Sequence, residues 1–314
     1  MSACIHCGTA AATVALALDR RALIRCTGCH LVRLDPVPTP AELSAVYDSG
    51  HYYTTEPPSL RSGLGARLQD LVLRTFWDYP KALPPLARVA ASIALRPLRA
   101  RFLPVPFPGD APVLDIGCGN GQRLLELERY GCSALFGLEP TVGAAEQARR
   151  ATRADIRTAF LDAADLPRGH FGLVILNQVL EHVPSPKDTL ASIHAHLRPG
   201  GTLYLTVPNF GSAEAGFFGP SWSGLQIPEH LHHFTESSLR PIVEAAGFRI
   251  TLWRTDSVWS VTRMSLKTWK QSAPKGWRAL LAALPPLAWL PLTVAADLVG
   301  RGQMLRIVAT RIDG

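Results

Sequence analysis

Residues 112–121 read PVLDIGCGNG, in which a short apolar run leads into three glycines at alternate positions. Asp115 stands two residues before the first of these glycines, and the helical pattern QRLLELERY begins at Gln122. A strand, a glycine turn and a helix in this order form a nucleotide-binding element, since glycine permits a tight turn and lets the backbone approach a ligand closely. The segment therefore predicts an open α/β sheet that binds a ligand at the carboxyl end of this strand.

The pattern beyond this turn predicts the same fold class. From residue 112 to about residue 256, apolar runs expected as strands (VLDI, ALFGLE, IRTAFL, GLVILN, TLYLTV and FRITLW) alternate with helical stretches. The expected helices are QRLLELERY, VGAAEQARR, KDTLASIHAHL and ESSLRPIVEAA. This alternation predicts a parallel sheet covered by helices on both faces. Residues 302–311, GQMLRIVATR, are expected to add an antiparallel last strand, which gives a Rossmann-like, doubly wound α/β sheet of seven strands.

The spacing of the glycines favours one class of ligand over another. Dinucleotide-binding proteins use G-x-G-x-x-G and place a pyrophosphate on the helix N-terminus. Here the spacing is G-x-G-x-G, and Asp115 lies close to the turn, where a fixed carboxylate would repel a pyrophosphate. S-adenosylmethionine carries a sulfonium and an ammonium group and no phosphate. The acid before the glycines therefore favours S-adenosylmethionine as the cofactor.

DIGCGNG resembles the first motif of the class I S-adenosylmethionine-dependent methyltransferases, and residues 112–256 follow the order of that family's segments. The resemblance implies a cofactor site formed by Asp115, Gly117, Gly119, Gly121, Glu139, Asp162 and Asn177. In this family Glu139 would accept both ribose hydroxyls, Asp162 would meet the adenine amino group and Asn177 would line the site after the fourth strand. The alternatives are that Asp162 caps a turn and that Asn177 only ends its strand.

Four cysteines near the N-terminus form two C-x-x-C pairs separated by eighteen residues, which is a spacing typical of structural zinc sites. The predicted zinc ligands are Cys4, Cys7, Cys26 and Cys29. Four thiolates leave no open position for water, so the predicted role is structural. A module of this size has little core of its own, and the metal would supply its folding energy. The alternatives are four unbound thiols or an iron–sulfur cluster.

A zinc ribbon, a tyrosine-rich stretch (AVYDSGHYY, 46–53) and this core together resemble the sugar C-methyltransferases of deoxysugar pathways. The resemblance implies that Tyr47, Tyr52 or Tyr53, together with Glu229 and His230, face the substrate. The chain departs from that group in two ways. Ile227 stands where the group has a tyrosine two residues before the glutamate, and the chain lacks the C-terminal ketosugar-binding half of that group. The acceptor is therefore expected to differ from that ketosugar.

Methyl transfer to a polar acceptor also needs a group that removes a proton, and histidine is suited to this near neutral pH. The candidate bases follow the fourth and fifth strands, and the preferred base is His230 with Glu229, with His182 as a further catalytic candidate. Tyr52, Tyr53 and His233 are the predicted substrate contacts. A structural reading remains open for each, in which His182 packs in the core and the tyrosines form a partly buried aromatic pair.

The net charge of +7 is concentrated in two flanking segments, 57–105 and 259–314, each with eight Lys/Arg against two acids. Residues 60–103 and 279–299 are also rich in apolar residues, which is compatible with segments that lie on a membrane surface or contact a lipid-linked substrate. The alternative is that they are helices covering the core. Nucleic acid is not an expected partner, because charge is the sole feature in its favour and the middle of the chain is acidic.

The predicted organisation is a zinc-ribbon module over 1–35, a helical basic connector over 36–105, an S-adenosylmethionine-binding core over 106–258, and an apolar basic helical insertion with the last strand over 259–314. The start, MSACIHCGTA, does not resemble a signal peptide, so cytoplasmic residence is expected, with peripheral membrane contact as the open question.

The predicted function is S-adenosylmethionine-dependent methylation of a small polar metabolite, such as a sugar or a cell-envelope or natural-product precursor. The alternatives are an NAD-dependent oxidoreductase or epimerase, and a non-catalytic zinc-ribbon interaction protein with a degenerate methyltransferase core. The sequence leaves the methylated atom and the oligomeric state open.

Overall fold

The structure, a computed structural model, describes residues 3–39, 41–43, 45, 57–80, 83–95, 105–272 and 275–313. The strands in these residues are β1 Ala12–Ala17, β2 Ala22–Cys26, β3 Val32–Asp35, β4 Val113–Ile116, β5 Leu135–Leu138, β6 Asp155–Arg157, β7 Phe171–Asn177, β8 Leu197–Pro208, β9 His232–His233, β10 Phe248–Asp256 and β11 Met304–Arg311. The helices that pack on or between them are α1 Gly63–Phe76, α2 Pro85–Ala94, α3 Gln122–Arg129, α4 Val142–Ala151, α5 Pro186–His196, α6 Ala213–Phe218, α7 Glu236–Ala245, α8 Trp259–Gln271, α9 Trp277–Ala283 and α10 Leu290–Leu298.

The larger sheet has seven strands in the order β10-β11-β8-β7-β4-β5-β6. The five strands from β6 to β8 pair in parallel, whereas β11 pairs antiparallel with both β8 and β10. β4 lies near the middle and all four of its residues are buried, as expected for a parallel strand covered on both faces. The predicted doubly wound α/β sheet with an antiparallel last strand is confirmed.

One predicted strand is shorter than expected. The apolar run IRTAFL predicts a strand over 156–161, but β6 ends at Arg157. Side chains hold the following backbone in another path, because Arg157 donates to the carbonyl oxygen of Asp165 and Arg149 donates to the hydroxyl of Thr158 at 2.6 Å. Phe160 is 65% exposed, so this part of the run lies at the edge of the sheet rather than in the core.

The smaller sheet has the order β1-β2-β3-β9, and its last strand comes from the middle of the chain rather than from the N-terminal segment. β9 pairs antiparallel with β3, with Val32 opposite His233. We refer to β1, β2 and β3 as the ribbon. Its apolar side chains, such as Leu23 and Leu34, share a core with Trp222 and Trp269. The N-terminal segment therefore shares both its sheet and its core with the rest of the protein.

The basic flanks form several short helices instead of a continuous one. α1 ends at Phe76. Arg74, in the last turn of α1, pairs with Asp70 at 3.3 Å, and Arg88 of α2 pairs with Asp78 at 2.7 Å. Among the described helices, none is by itself long and apolar enough to cross a membrane. Residues 277–283 and 286–298 meet the length and composition criteria as a pair, with a bend of 116° between them.

A buried ion pair joins the antiparallel strands at one side of the large sheet. Arg306 of β11 is 1% exposed, and its Nε donates to Oδ2 of Asp256 at 2.5 Å. Its Nη1 donates to the hydroxyl of Tyr204 in β8. Arg254 lies opposite Arg306 in β10 and donates to the second carboxylate oxygen of Asp256 at 2.8 Å. One carboxylate therefore pairs with two guanidinium groups on adjacent strands.

We expect Arg306→Met to lower the free energy of unfolding by about 3 kcal/mol, because it leaves the buried Oδ2 of Asp256 and the hydroxyl of Tyr204 without the donor that they share, while Arg254 still pairs with Oδ1. Urea unfolding measures this change. Arg249→Met is the matched control, since Arg249 is exposed in β10, and its effect should stay within about 0.5 kcal/mol. Equal effects of the two substitutions would contradict a special role for the buried pair.

Candidate active site

The glycine turn joins β4 to α3 at the carboxyl edge of the large sheet. Gly117 and Gly121 have positive φ angles of 69° and 84°. A Cβ atom on Gly117 would lie 2.5 Å from Cγ2 of Val179, which belongs to the loop after β7. Only glycine permits this contact at this backbone conformation. The turn therefore lies directly against the loop that follows β7.

The carboxylate of Glu139 lies beside this turn, just after β5. Its Oε2 accepts a hydrogen bond from the amide of Gly119 at 2.9 Å, and its Oε1 accepts one from the amide of Thr141 at 2.9 Å. Each carboxylate oxygen has two lone pairs, so both oxygens can accept a further bond from a ligand hydroxyl. Glu139 thus fixes the shape of the turn and retains the capacity to bind a ribose.

Asp115 supplies a second buried carboxyl group in β4, with 3% of its surface exposed. Burial raises its pKa to about 7; the guanidinium of Arg123 opposes the shift, and the negative charge of Glu139 adds to it. A carboxyl group with this pKa is partly protonated at neutral pH, and a cation bound beside it favours the ionised form. This environment suits a ligand that carries positive charge.

The two other predicted cofactor residues differ in depth. Asp162 is exposed in a single 3-10 turn, Leu161–Ala163, beyond β6. Asn177 ends β7, and its Oδ1 accepts a hydrogen bond of 2.7 Å from the hydroxyl of Thr206 in β8. Sequence reasoning missed Thr206, because a single threonine in a buried strand belongs to no motif. This bond holds Asn177 in one orientation at the carboxyl edge.

Three polar side chains meet where the loop after β7 faces the segment after β8. The rings of His182 and His230 are 4.6 Å apart between centroids, and Nε2 of His230 lies 4.0 Å from Oε1 of Glu181. Glu181 is completely buried, and neither carboxylate oxygen has a hydrogen-bond partner among the described residues. We refer to Glu181, His182 and His230 as the histidine cluster.

Burial shifts the protonation of all three groups in the histidine cluster. It raises the pKa of Glu181 to about 8 and lowers that of His182 to about 4. The pKa of His230 is also well below its usual value, first because of burial and then because of the neighbouring His182 and His233. Both rings are therefore neutral at pH 7 and each carries one nitrogen lone pair.

The pairing of His230 with Glu229 stays a prediction, and the structure brings another carboxylate close to His230. The carboxylate within 4.0 Å of His230 is that of Glu181, while Glu229 is half-buried and contributes its carbonyl oxygen, which lies 3.1 Å from Nδ1 of His182. The ring of His230 turns inward instead, with Nδ1 3.0 Å from the carbonyl oxygen of Gly224. Glu181 and His230 are far apart in the sequence, so no local pattern could predict their contact.

The two histidines of β9 connect the ribbon to this region. His233, a predicted substrate contact, is 3% exposed, and its ring stacks on Phe210 at 5.6 Å. Its backbone pairs with Val32, and that of His232 pairs with Arg33. Burial lowers the pKa of His232 to about 4 and that of His233 to about 3, so both are neutral at pH 7. The ribbon thereby holds the segment that carries His230.

The predicted tyrosine contacts Tyr47, Tyr52 and Tyr53 lie outside the described residues. The chain that follows them, from residue 57, runs along the start of α3. There the amide of Ser59 donates to Oε1 of Gln122 at 2.9 Å, and Nε2 of Gln122 donates back to the carbonyl oxygen of Ser59 at 3.0 Å. This segment is thus fixed to the helix that begins at the glycine turn.

The four N-terminal cysteines converge on one point. Their sulfur atoms all lie within 4.8 Å of one another, with Cys4 and Cys29 at 3.5 Å and Cys7 and Cys26 at 3.5 Å. Four thiolates at the usual zinc–sulfur distance of about 2.3 Å would be roughly 3.8 Å apart in a tetrahedron. The spacing and the chemistry of these donors therefore fit a zinc ion.

Both cysteine pairs use the same turn to aim their sulfurs inward. In the first, the amide of Gly8 donates to the carbonyl oxygen of Cys4 at 2.8 Å; in the second, the amide of His30 donates to that of Cys26 at 3.1 Å. Gly8 and His30 both have positive φ, at 75° and 60°. His30, which directly follows Cys29 in the sequence, therefore closes the second turn.

A cleft of about 520 Å³ opens beside β10, β11 and the start of α7 and is lined by residues such as Asn209, Thr235 and Arg240. Arg240 is paired with Glu236 at 2.8 Å and lies over the ring of Trp253 at 4.6 Å, so its charge is already compensated. Among the predicted cofactor and acceptor residues that the structure describes, none lines this cleft.

Known proteins match this chain over the same core. A family model described as a methyltransferase domain matches residues 88–252. A ubiquinone biosynthesis O-methyltransferase of Xanthomonas campestris pv. campestris is 30% identical over 184 residues, covering 55% of this chain and 73% of that protein. Human methyltransferase-like protein 27 is 27% identical over 233 residues, covering 73% and 84%.

Solved structures share the fold. One chain in a complex between the Haloferax volcanii Trm112 methyltransferase activator and a methyltransferase superposes with a TM-score of 0.50 at 16% identity. The superposition covers 81% of this chain and 100% of that one. At this identity the likeness shows the fold alone, and it agrees with the sheet described above.

We expect the affinity for S-adenosylmethionine to be about tenfold lower at pH 6 than at pH 8, because a carboxyl group with a pKa of about 7 must lose its proton to hold a cation. Calorimetric titration measures this ratio. Asp115→Asn should bind more weakly at both pH values and lose the dependence. Asp110→Asn is the matched control, since Asp110 is an exposed acid shortly before β4. An Asp115→Asn variant with unchanged affinity would contradict this role.

Proposed function

The chain belongs to the methyltransferase-domain family and is an S-adenosylmethionine-dependent methyltransferase; from this premise we propose that its acceptor is a small polar metabolite, such as a sugar or a precursor of cell-envelope or natural products. The family match favours this function over an NAD-dependent oxidoreductase or epimerase, and the intact set of Asp115, Gly117, Gly119 and Glu139 favours it over a non-catalytic protein with a degenerate core. The observation that carries the proposal is that two polar side chains, Asn177 at the end of β7 and the partly exposed His182, flank Val179, which packs against the glycine turn.

In the proposed reaction, positioning supplies much of the rate because the sulfonium is already an activated leaving group. A lone pair of the acceptor attacks the methyl carbon while the bond from that carbon to sulfur breaks. The electron pair of that bond returns to sulfur and gives S-adenosylhomocysteine. The acceptor loses a proton, and the neutral ring of His182 or His230 is the histidine base we propose for it.

The cofactor contacts proposed for this reaction follow from the same edge. Asp115 favours the cationic part of the cofactor, and Glu139 has lone pairs for the ribose hydroxyls. Gly117, Gly119 and Gly121 shape the turn, and Asp162 stands exposed beyond β6, where the resemblance implies the adenine.

We further propose that Cys4, Cys7, Cys26 and Cys29 hold a structural zinc ion. Four sulfurs would complete the coordination of zinc, so the ion would have no open position for chemistry. Zinc would stabilise the ribbon, and β3 of the ribbon pairs with β9. This pairing fixes the segment that carries His230. The zinc ribbon would then support the site without taking part in methyl transfer.

We also propose that the flanking helices contact a membrane surface and that the acceptor is presented there on a lipid carrier. Exposed leucines cluster in α9, α10 and the turn between them, with Leu280, Leu287 and Leu298 each more than 70% exposed. Lys267 and Lys275 lie exposed in the same part of the chain. Apolar side chains flanked by positive charge suit a surface of anionic lipids.

Transfer from S-adenosylmethionine with a deuterated methyl group tests the acceptor class. We expect the label to appear in sugar-containing metabolites, either nucleotide-linked or lipid-linked, when the protein is incubated with separated small-molecule fractions and the products are weighed by mass spectrometry. Heat-denatured protein is the control. Label in quinones or other aromatic metabolites alone would show a methyltransferase whose acceptor we have assigned wrongly.

Vesicle flotation tests the membrane surface. We expect the protein to float with vesicles that contain phosphatidylglycerol, to bind less at high salt, and to stay unbound with phosphatidylcholine alone, because both apolar insertion and charge contribute. A triple variant, Leu280→Asp/Leu287→Asp/Leu298→Asp, should lose this binding. Val14→Asp, at an exposed position of β1, is the control. Failure of the unmodified protein to bind either vesicle would overturn the proposal.

A further inference from the structure

The histidine cluster brings together three side chains that can each donate a lone pair. One carboxylate oxygen of Glu181 and one ring nitrogen each of His182 and His230 lie within 4.8 Å of one another. They come from two loops that follow adjacent parallel strands, β7 and β8. The carboxyl edge of the sheet therefore concentrates three potential ligand atoms at one point.

The hydrogen bonds of the two rings determine which nitrogen faces this point. Nδ1 of His182 lies 3.1 Å from the carbonyl oxygen of Glu229, and Nδ1 of His230 lies 3.0 Å from that of Gly224. A carbonyl oxygen only accepts, so each Nδ1 carries the proton in the neutral ring. The Nε2 atoms are then lone-pair donors, and metal-binding histidines are commonly held by such backbone bonds.

No donor from the described residues satisfies the buried acceptors at this point. Both carboxylate oxygens of Glu181 and Nε2 of His182 are buried and have no hydrogen-bond partner among the described residues. Glu181 has no exposed surface, and His230 is 1% exposed. Acceptors that face one another without a proton repel, and buried polar atoms without partners are costly. A positive charge between them would remove both penalties.

We propose that Glu181, His182 and His230 form a binding site for a divalent metal ion, separate from the four-cysteine site. Two imidazoles and one carboxylate are a donor set found in catalytic zinc sites, which keep a further position open for water or substrate. His182 is the member that is partly exposed, although its Nε2 is buried, so the outside of the protein is nearest to the site at this residue.

The position of this site indicates its use, and this part of the inference rests on the proposed function. Val179, two residues before Glu181, packs against Gly117 of the glycine turn. The ion would lie on the acceptor side of that turn and bind an oxygen of the acceptor. Its charge would lower the pKa of that oxygen, so the acceptor would lose its proton to solvent. In the metal-bound protein, His182 and His230 would be ligands and neither would act as the base. One of them would act as the base only if the site holds no metal.

Metal content tests the site without cofactor or acceptor, so the result does not depend on the proposed function. Zinc is the probe: the purified protein is loaded with zinc, passed through a desalting column and analysed by mass spectrometry for zinc and protein. We expect two zinc ions per chain, falling to one in Glu181→Gln and in His182→Gln. Glu214→Gln is the matched control, because Glu214 is a largely buried glutamate that bonds to Thr262 outside the cluster.

Cobalt distinguishes the two sites and guards against misfolding. Cobalt at the cysteines gives thiolate charge-transfer bands, which Glu181→Gln should retain, while the weaker bands of the nitrogen–oxygen site should disappear. Retained bands also show that the ribbon of the variant is folded. One zinc ion in the unmodified protein, or two in both cluster variants, would overturn the second site. The buried acceptors would then share a proton carried by Glu181 in place of a metal ion.

Discussion

The parallel pairing of β4 with β5 on one side and β7 on the other determines where the functional side chains lie. Because these strands run in the same direction, their carboxyl ends meet at one edge of the sheet. Glu139 and Asn177 follow from that edge, and the glycine turn begins there. The contact between Gly117 and Val179 then joins the cofactor side to the loop that carries the histidine cluster.

The ribbon holds the segment that lies beside this edge of the sheet. β9 has only two residues, yet it connects the segment of His230 to β3 by backbone hydrogen bonds, and the ribbon itself packs on the tryptophans of the C-terminal helices. A short loop after β8 would otherwise have few partners. The N-terminal cysteines, the histidine cluster and the apolar flank are thus parts of one structure around the proposed acceptor position, although they are widely separated in the sequence.

Much of this structure could be predicted from local patterns. The run VLDI is β4, residue for residue, and Asp115 and Glu139 lie where the motif implied. Periodicity fails where contacts are non-local. It could not predict that Glu181 approaches His230, because these residues lie in two loops that the parallel pairing of β7 with β8 brings together. It overestimated β6, because an apolar run does not reveal that Phe160 lies at an exposed edge.

The central claim is that the glycine turn and the carboxylates beside it bind S-adenosylmethionine. Hydrogen–deuterium exchange with and without S-adenosylhomocysteine, the product that remains bound without reacting, tests it most directly. The account predicts slower exchange in residues 116–122 and 139–141, where the amides surround Glu139, and no change in β10. Protection confined to the cleft beside Asn209 and Thr235, with none at the glycine turn, would contradict it.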